Sequence, residues 1–199
     1  MNTLFDRLAA VFEAGHAREI ELLDDAMAPP DDLRKAAVLI AVTDRTRPGV
    51  LVTHRPLTMR SHPGQAAFPG GKLDPGEDAV AAALREANEE LGIDPREVQV
   101  IGTSDPFRTR TGYDITPVLG VIPPDLPITP NPHEVADWFE PPLGFVLDPA
   151  NRVPRTVEWE GAQRTYFEIM WQGHRIWGVT AAIIGNLSRR MELTELFDG

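Results

Sequence analysis

The chain has 199 residues, 42% of them apolar and 25% charged, a composition that fits one soluble globular domain with a sizeable buried core. Thirty acidic against nineteen basic residues leave a formal charge of −11, which argues against a general nucleic-acid or anionic-membrane surface, because such binding needs a basic face to displace counterions. There is no cysteine, hence no disulfide framework and no thiolate chemistry, which fits a cytoplasmic setting.

The opening stretch, MNTLFDRLAAVFEAGHAREIELLDD, mixes acids into an amphipathic pattern and lacks the basic start and apolar core of a signal peptide. It predicts a helix over residues 3 to 24 and, with the Pro/Asp-rich APPDD behind it, an N-terminal helical extension over 1–30 followed by a single domain over 31–199. AAVLIAVT (36–43) and GVLVTHR (49–55) read as strands joined through DRTRPG into a hairpin. The longest apolar run, Ala36 to Val42, is far too short to cross a bilayer. Between Arg45 and Lys72 lie five basic residues, two histidines and no acid, so an anionic ligand would be drawn there.

DPGEDAVAAALREANEELGI (74–93) has the punctuation of a helix: a turn and acids at the start, an Ala-rich middle, and Gly92 with Pro95 as the stop. Val80, Leu84, Ala87 and Leu91 fall within about 60° of one another and form the expected buried stripe, while Glu86, Glu89 and Glu90 share an arc of about 100° on the other side. Further strands are expected at VQVIGTS (98–104), ITPVLGVI (115–122), TVEWEG (156–161) and RTYFEIMW (164–171), with a last helix over IWGVTAAIIGNLSRRM (176–191). Prolines crowded between 117 and 154 predict long ordered loops. Short strands with helices at the start, middle and end indicate an α+β fold, a mixed sheet covered by helices. Trp138, Trp159, Trp171 and Trp177 read as core or loop anchors, and the stripe Ile183, Ile184, Leu187, Met191 as helix packing or a dimer face.

The three glutamates are locally awkward. Glu86 and Glu90 are like charges at i,i+4, costing roughly 0.2–0.5 kcal/mol, and the cluster sits at the negative end of the helix dipole, relieved only in part by Arg85. A solvated acidic face is one reading. A seat for a hard divalent cation, Mg²⁺ or Mn²⁺, is the other, because such an ion takes oxygen ligands and reverses the sign of the cluster.

Gly71, five residues, Glu77, seven residues, then Arg85-Glu86-Ala87-Asn88-Glu89-Glu90-Leu91-Gly92-Ile93 resembles the Nudix box at every fixed position. The resemblance implies a mixed β-sheet sandwiched between α-helices and hydrolysis of a nucleoside diphosphate linked to another group. It implies further that Glu86, Glu89 and Glu90 hold Mg²⁺ or Mn²⁺ with help from the Gly71 carbonyl, that Arg85 orients a glutamate, and that Glu77 supports the loop and helix start. Glu90 is the preferred general base, with Glu86 and Glu134 as rivals; Glu134 is a lone acid in the Pro-flanked NPHEVADWF. The preceding stretch, LVTHRPLTMRSHPGQAAFPGG, is similar to the second signature of the coenzyme A pyrophosphatase branch at Leu51, Thr53, Arg55, Arg60, Gly64 and Phe68-Pro69-Gly70-Gly71. Pro56 departs from it, standing where a serine is usual. NPHEVADWFEPPL and IWGVTAAII also look like this branch, so the resemblance spans roughly 36 to 190.

By that resemblance Arg55, Arg60 and Phe68 meet the substrate, and coenzyme A or a thioester of it is split into 3′,5′-ADP and 4′-phosphopantetheine or its acyl derivative. ADP-ribose or NADH is the same-fold alternative, and a noncatalytic nucleotide-binding regulator the alternative of another class. The expected partner is that small molecule, bound by a monomer or homodimer, with no nucleic acid and no membrane. His54 and His62 read as hydrogen-bonded loop histidines without a catalytic role.

Overall fold

A computed structural model describes residues 3–23, 32–59, 62–159 and 161–191. Helix α1, Leu4–His16, starts on a capping box in which the Thr3 hydroxyl accepts from the Asp6 amide and the Asp6 carboxylate accepts from the Thr3 amide. It stops eight residues short of the expected end. Gly15 lies so close to the Arg190 backbone carbonyl that a Cβ would collide with it, and the following chain runs along the last helix instead: Leu23 exchanges two hydrogen bonds with the Asn186 side chain, at 2.6 and 3.0 Å.

Strand β1, Arg34–Thr43, is the centre of the molecule. It runs parallel to β7, Tyr113–Ile122, and antiparallel to β4, Gly70–Lys72; β5, Gln99–Thr103, and β6, Phe107–Thr109, both pair with β7. The result is a mixed five-stranded sheet. Along β1, Ala37, Leu39 and Ala41 face helix α2, Ala79–Leu91, while Ile40 and Val42 face α1, the short α3, Leu143–Leu147, and α4, Gly178–Arg190. Strict alternation along one buried strand thus feeds two cores, one on each face, and sandwiches the sheet between helices. The Ile183, Ile184, Leu187, Met191 stripe is at most 3% exposed and is consumed by internal packing.

The expected hairpin after β1 forms only at its base. Thr43 and Gly49, and Leu51 and Ala41, are joined by 3.0 Å backbone bonds, and then the chain leaves. Strand β2, Val52–His54, pairs instead with β3, Ala66–Ala67, and β8, Asp137–Phe139. The reason is competition for an edge: β4 occupies β1 from Ala36 to Val38, and the Leu39 amide donates to Pro69. The expected strands near the C-terminus form a three-stranded sheet of β9, Arg152–Trp159, β10, Ala162–Trp171, and β11, His174–Trp177, so the first two residues of the expected last helix are strand. No helix among the described residues is long and apolar enough to cross a membrane.

Candidate active site

Helix α2 begins where Asp78 accepts a 2.8 Å hydrogen bond from Ala81 and ends where Gly92 turns left-handed at φ 70°. Its buried face is Ala82, Ala83, Ala87, Glu90 and Leu91; Val80 and Leu84 are only half-buried. The face is therefore turned by about 80° from the stripe marked by the large apolar residues. Small side chains explain the rotation: Ala82, Ala83 and Ala87 let the helix lie close against Ala37, Leu39 and Ala41. The same rotation carries Glu90 inward, to 7% exposure.

Glu90 meets Glu86 and Glu134 there, one carboxylate oxygen of each lying within 4.8 Å of the others. Glu90 Oε2 is buried without a hydrogen-bond partner. Burial first, then the neighbouring Glu86 and Glu134 carboxylates, push the Glu90 carboxyl up to about 8, against the Gly70 amide and the Arg55 guanidinium, which pull it down. Burial likewise raises Glu86, offset in part by Arg85. A buried carboxylate oxygen without a donor, in an acidic triad, fits a hard divalent cation. Gly71 fits the same site, since a Cβ on it would run into the Glu86 carboxylate.

Arg85 braces this arrangement from outside. Its Nε and Nη2 grip the Glu77 carboxylate at 2.9 and 3.0 Å, Nη2 also reaches the Lys72 carbonyl at 3.0 Å, and Nη1 donates to Glu86 at 2.9 Å and Glu89 at 3.2 Å. That bidentate grip holds Glu77 well below the usual carboxylate range and the Arg85 guanidinium above its own. Glu89 is half-exposed and stands outside the triad, on Arg85.

Glu134 reaches the triad by a different route. The Glu90 and Leu91 carbonyls, left over at the end of α2, accept 2.8 Å hydrogen bonds from Asn131 and Thr129, and the Asn131 side chain donates to Glu134 at 3.2 Å. The loop that carries Glu134 is thereby stitched to the helix that carries the other two carboxylates. Arg55, just after β2, is partly buried with its Nε unpartnered, and its charge is felt at Glu90. Phe68 is packed into the core at 4% exposure, and Arg60 lies outside the described residues. One contact of the strand that leads into Arg55 carries no sequence signal: His174, 120 positions from His54, bonds to it at 3.0 Å.

Residues 33–160 match the family described as NUDIX domain. A protein named uncharacterized Nudix hydrolase NudL from Photorhabdus laumondii is 42% identical over 164 residues, 82% of this chain and 88% of that one. Its namesake from Escherichia coli K12 is 44% identical over 156 residues, 78% and 81% of the two chains. In fold, the chain is similar to the crystal structure of a Nudix hydrolase from M. Smegmatis, RenU, with a TM-score of 0.50 at 23% identity over 63% of this chain and 81% of the other.

Proposed function

We propose, from the premise that this chain belongs to the Nudix hydrolases, that its substrate is coenzyme A or a coenzyme A thioester, cut at the pyrophosphate to 3′,5′-ADP and 4′-phosphopantetheine or its acyl derivative. The observation that carries the reading is the Arg55 guanidinium, whose buried Nε lacks an acceptor beside a triad of carboxylates. A phosphate oxygen supplies that acceptor, and Arg suits phosphate as a planar fork. The choice of coenzyme A among pyrophosphates rests on the likeness of Leu51 to Gly71 to that branch's signature, with Pro56 its one clear departure.

Glu86, Glu90 and Glu134 are the residues that would hold Mg²⁺ or Mn²⁺, with the Gly71 carbonyl and Glu89 as further donors. Bound there, a divalent ion supplies the positive charge that an acidic protein lacks, for the phosphates and for the developing negative charge. In the reaction a water oxygen bonds to one phosphorus, the bond from that phosphorus to the bridging oxygen breaks, and the water proton passes to a carboxylate. Glu90 is that base, with Glu86 and Glu134 its rivals. Arg85 does not touch the reacting atoms; it fixes the Glu86 carboxylate and ties α2 to the loop before it.

The deciding experiment incubates the protein and Mg²⁺ or Mn²⁺ with coenzyme A, dephospho-coenzyme A, ADP-ribose and NADH, and identifies products by chromatography. Coenzyme A is expected to lead, with about a tenfold to hundredfold advantage in kcat/KM over the dephospho form from a charge-assisted contact to the 3′-phosphate. Cleavage confined to ADP-ribose or NADH would overturn the substrate, and no cleavage at all would favour a nucleotide-binding regulator.

A further inference from the structure

At the junction of β2 and β11, two imidazoles are hydrogen-bonded to each other. His54 Nε2 lies 3.0 Å from His174 Nδ1, and His54 Nδ1 lies 3.3 Å from the Gly64 carbonyl. A carbonyl oxygen only accepts, so a neutral His54 carries its proton on Nδ1 and presents a lone pair at Nε2, to which His174 donates from its own Nδ1. The protons therefore point one way, from β11 through β2 into the loop that follows it.

The rings are held in place for this. His174 stacks on Phe139 at 4.0 Å and 9°, His54 stacks on the same ring at 5.0 Å and 27°, and Trp171 lies 5.9 Å from His174. At the far end, Gly64 sits in the left-handed region at φ 69°. Its amide donates to the Arg55 carbonyl at 3.0 Å, and the Arg55 amide donates to Gln65 at 3.1 Å. The carbonyl gripped by His54 thus belongs to the residue paired with the backbone of Arg55.

We infer that His174 is a positioning residue for the phosphate-binding arginine: through His54 it fixes Gly64, and so aims the Arg55 guanidinium. The inference rests on the reading of Arg55 as a substrate ligand. A contact that served only to join β11 to β2 would change stability when broken; one that aims Arg55 changes substrate affinity, and only while Arg55 is present.

Two measurements on the full chain test this. Imidazole ¹⁵N spectra should show both histidines protonated at Nδ1 and bare at Nε2; a His54 protonated at Nε2 instead overturns the chain of donors. His174→Phe keeps an aromatic ring over Phe139 and deletes the donor, whereas His174→Asn returns an N–H close to the Nδ1 position. The phenylalanine variant should raise KM about threefold to tenfold with kcat within about twofold, and the asparagine variant should restore KM. In an Arg55→Ala background, His174→Phe should add nothing further to KM. Equal factors in both backgrounds, or lost stability with KM unchanged, would overturn the positioning role. The cycle is run on whichever nucleotide conjugate the native protein cleaves best, so a wrong substrate leaves it intact. If none is cleaved, the proposed function fails, and the same cycle read as the Kd of coenzyme A by calorimetry still decides the role of His174.

Discussion

Glu90 joins a structural cost to a chemical use. Its carboxyl is held up to about 8 by burial and by two like charges, so in metal-free protein the folded state binds this proton more tightly than the unfolded chain does. The sign of the pH effect follows: the contribution is fully present below about 4.5 and is lost as pH rises through about 8, with a slope of at most about 1.4 kcal/mol per pH unit. Denaturant titrations of metal-free protein between these limits should show stability falling with pH, and Glu90→Gln should flatten that dependence while leaving the fold intact. The same variant should lose about a hundredfold or more in turnover. A steep slope persisting in the variant would assign the pH dependence to another group, and near-normal turnover would remove Glu90 from the mechanism. The sequence showed that Glu90 belongs to a carboxylate cluster; it could not show its burial, because the large apolar residues Val80 and Leu84 mark a face that three alanines override.

At the scale of elements, the box from Gly71 to Ile93 is legible because every part of it is local: a turn, a cap, a helix and a stop. What was not legible depends on distant partners. The chain leaves the β1 ladder after Leu51 because β4 has taken that edge, and α1 ends early because α4 offers the following residues a better partner. Glu134 was marked by its place in NPHEVADWF, but the backbone bonds to the end of α2 that seat it beside Glu86 and Glu90 were not. Since all three carboxylates belong to one stitched unit, a bound cation should be linked to global folding. At a hundredfold excess over Kd, Mg²⁺ or Mn²⁺ should raise Tm by roughly 5–10 °C, and Glu86→Ala should blunt the rise. An equal rise in that variant, followed by differential scanning calorimetry, would place the ion elsewhere.

For the molecule as a whole, the family match begins at residue 33, yet Leu4, Leu8 and Phe12 of α1 lie in the same core as Ile40, Leu119 and Ile183. Deleting residues 1–17 uncovers that face of the sheet and should cost on the order of 5 kcal/mol, read as a lower urea midpoint; an unchanged midpoint would make α1 an ornament. The basic stretch also looks different in three dimensions. Arg45 is turned to Glu140 and Asp125, while Arg55 faces the carboxylates, so a charge pattern continuous in sequence is divided between two places. The stitching of Thr129 and Asn131 onto the end of α2 has one further consequence. Because Glu134 is placed by the helix and not by the length of chain before it, the exposed turn at Asp125 is free to vary: a few residues inserted there would lengthen a surface loop without changing the spacing of the carboxylates. Added residues there would extend the surface beside Arg45 while Glu86, Glu90 and Glu134 keep their positions.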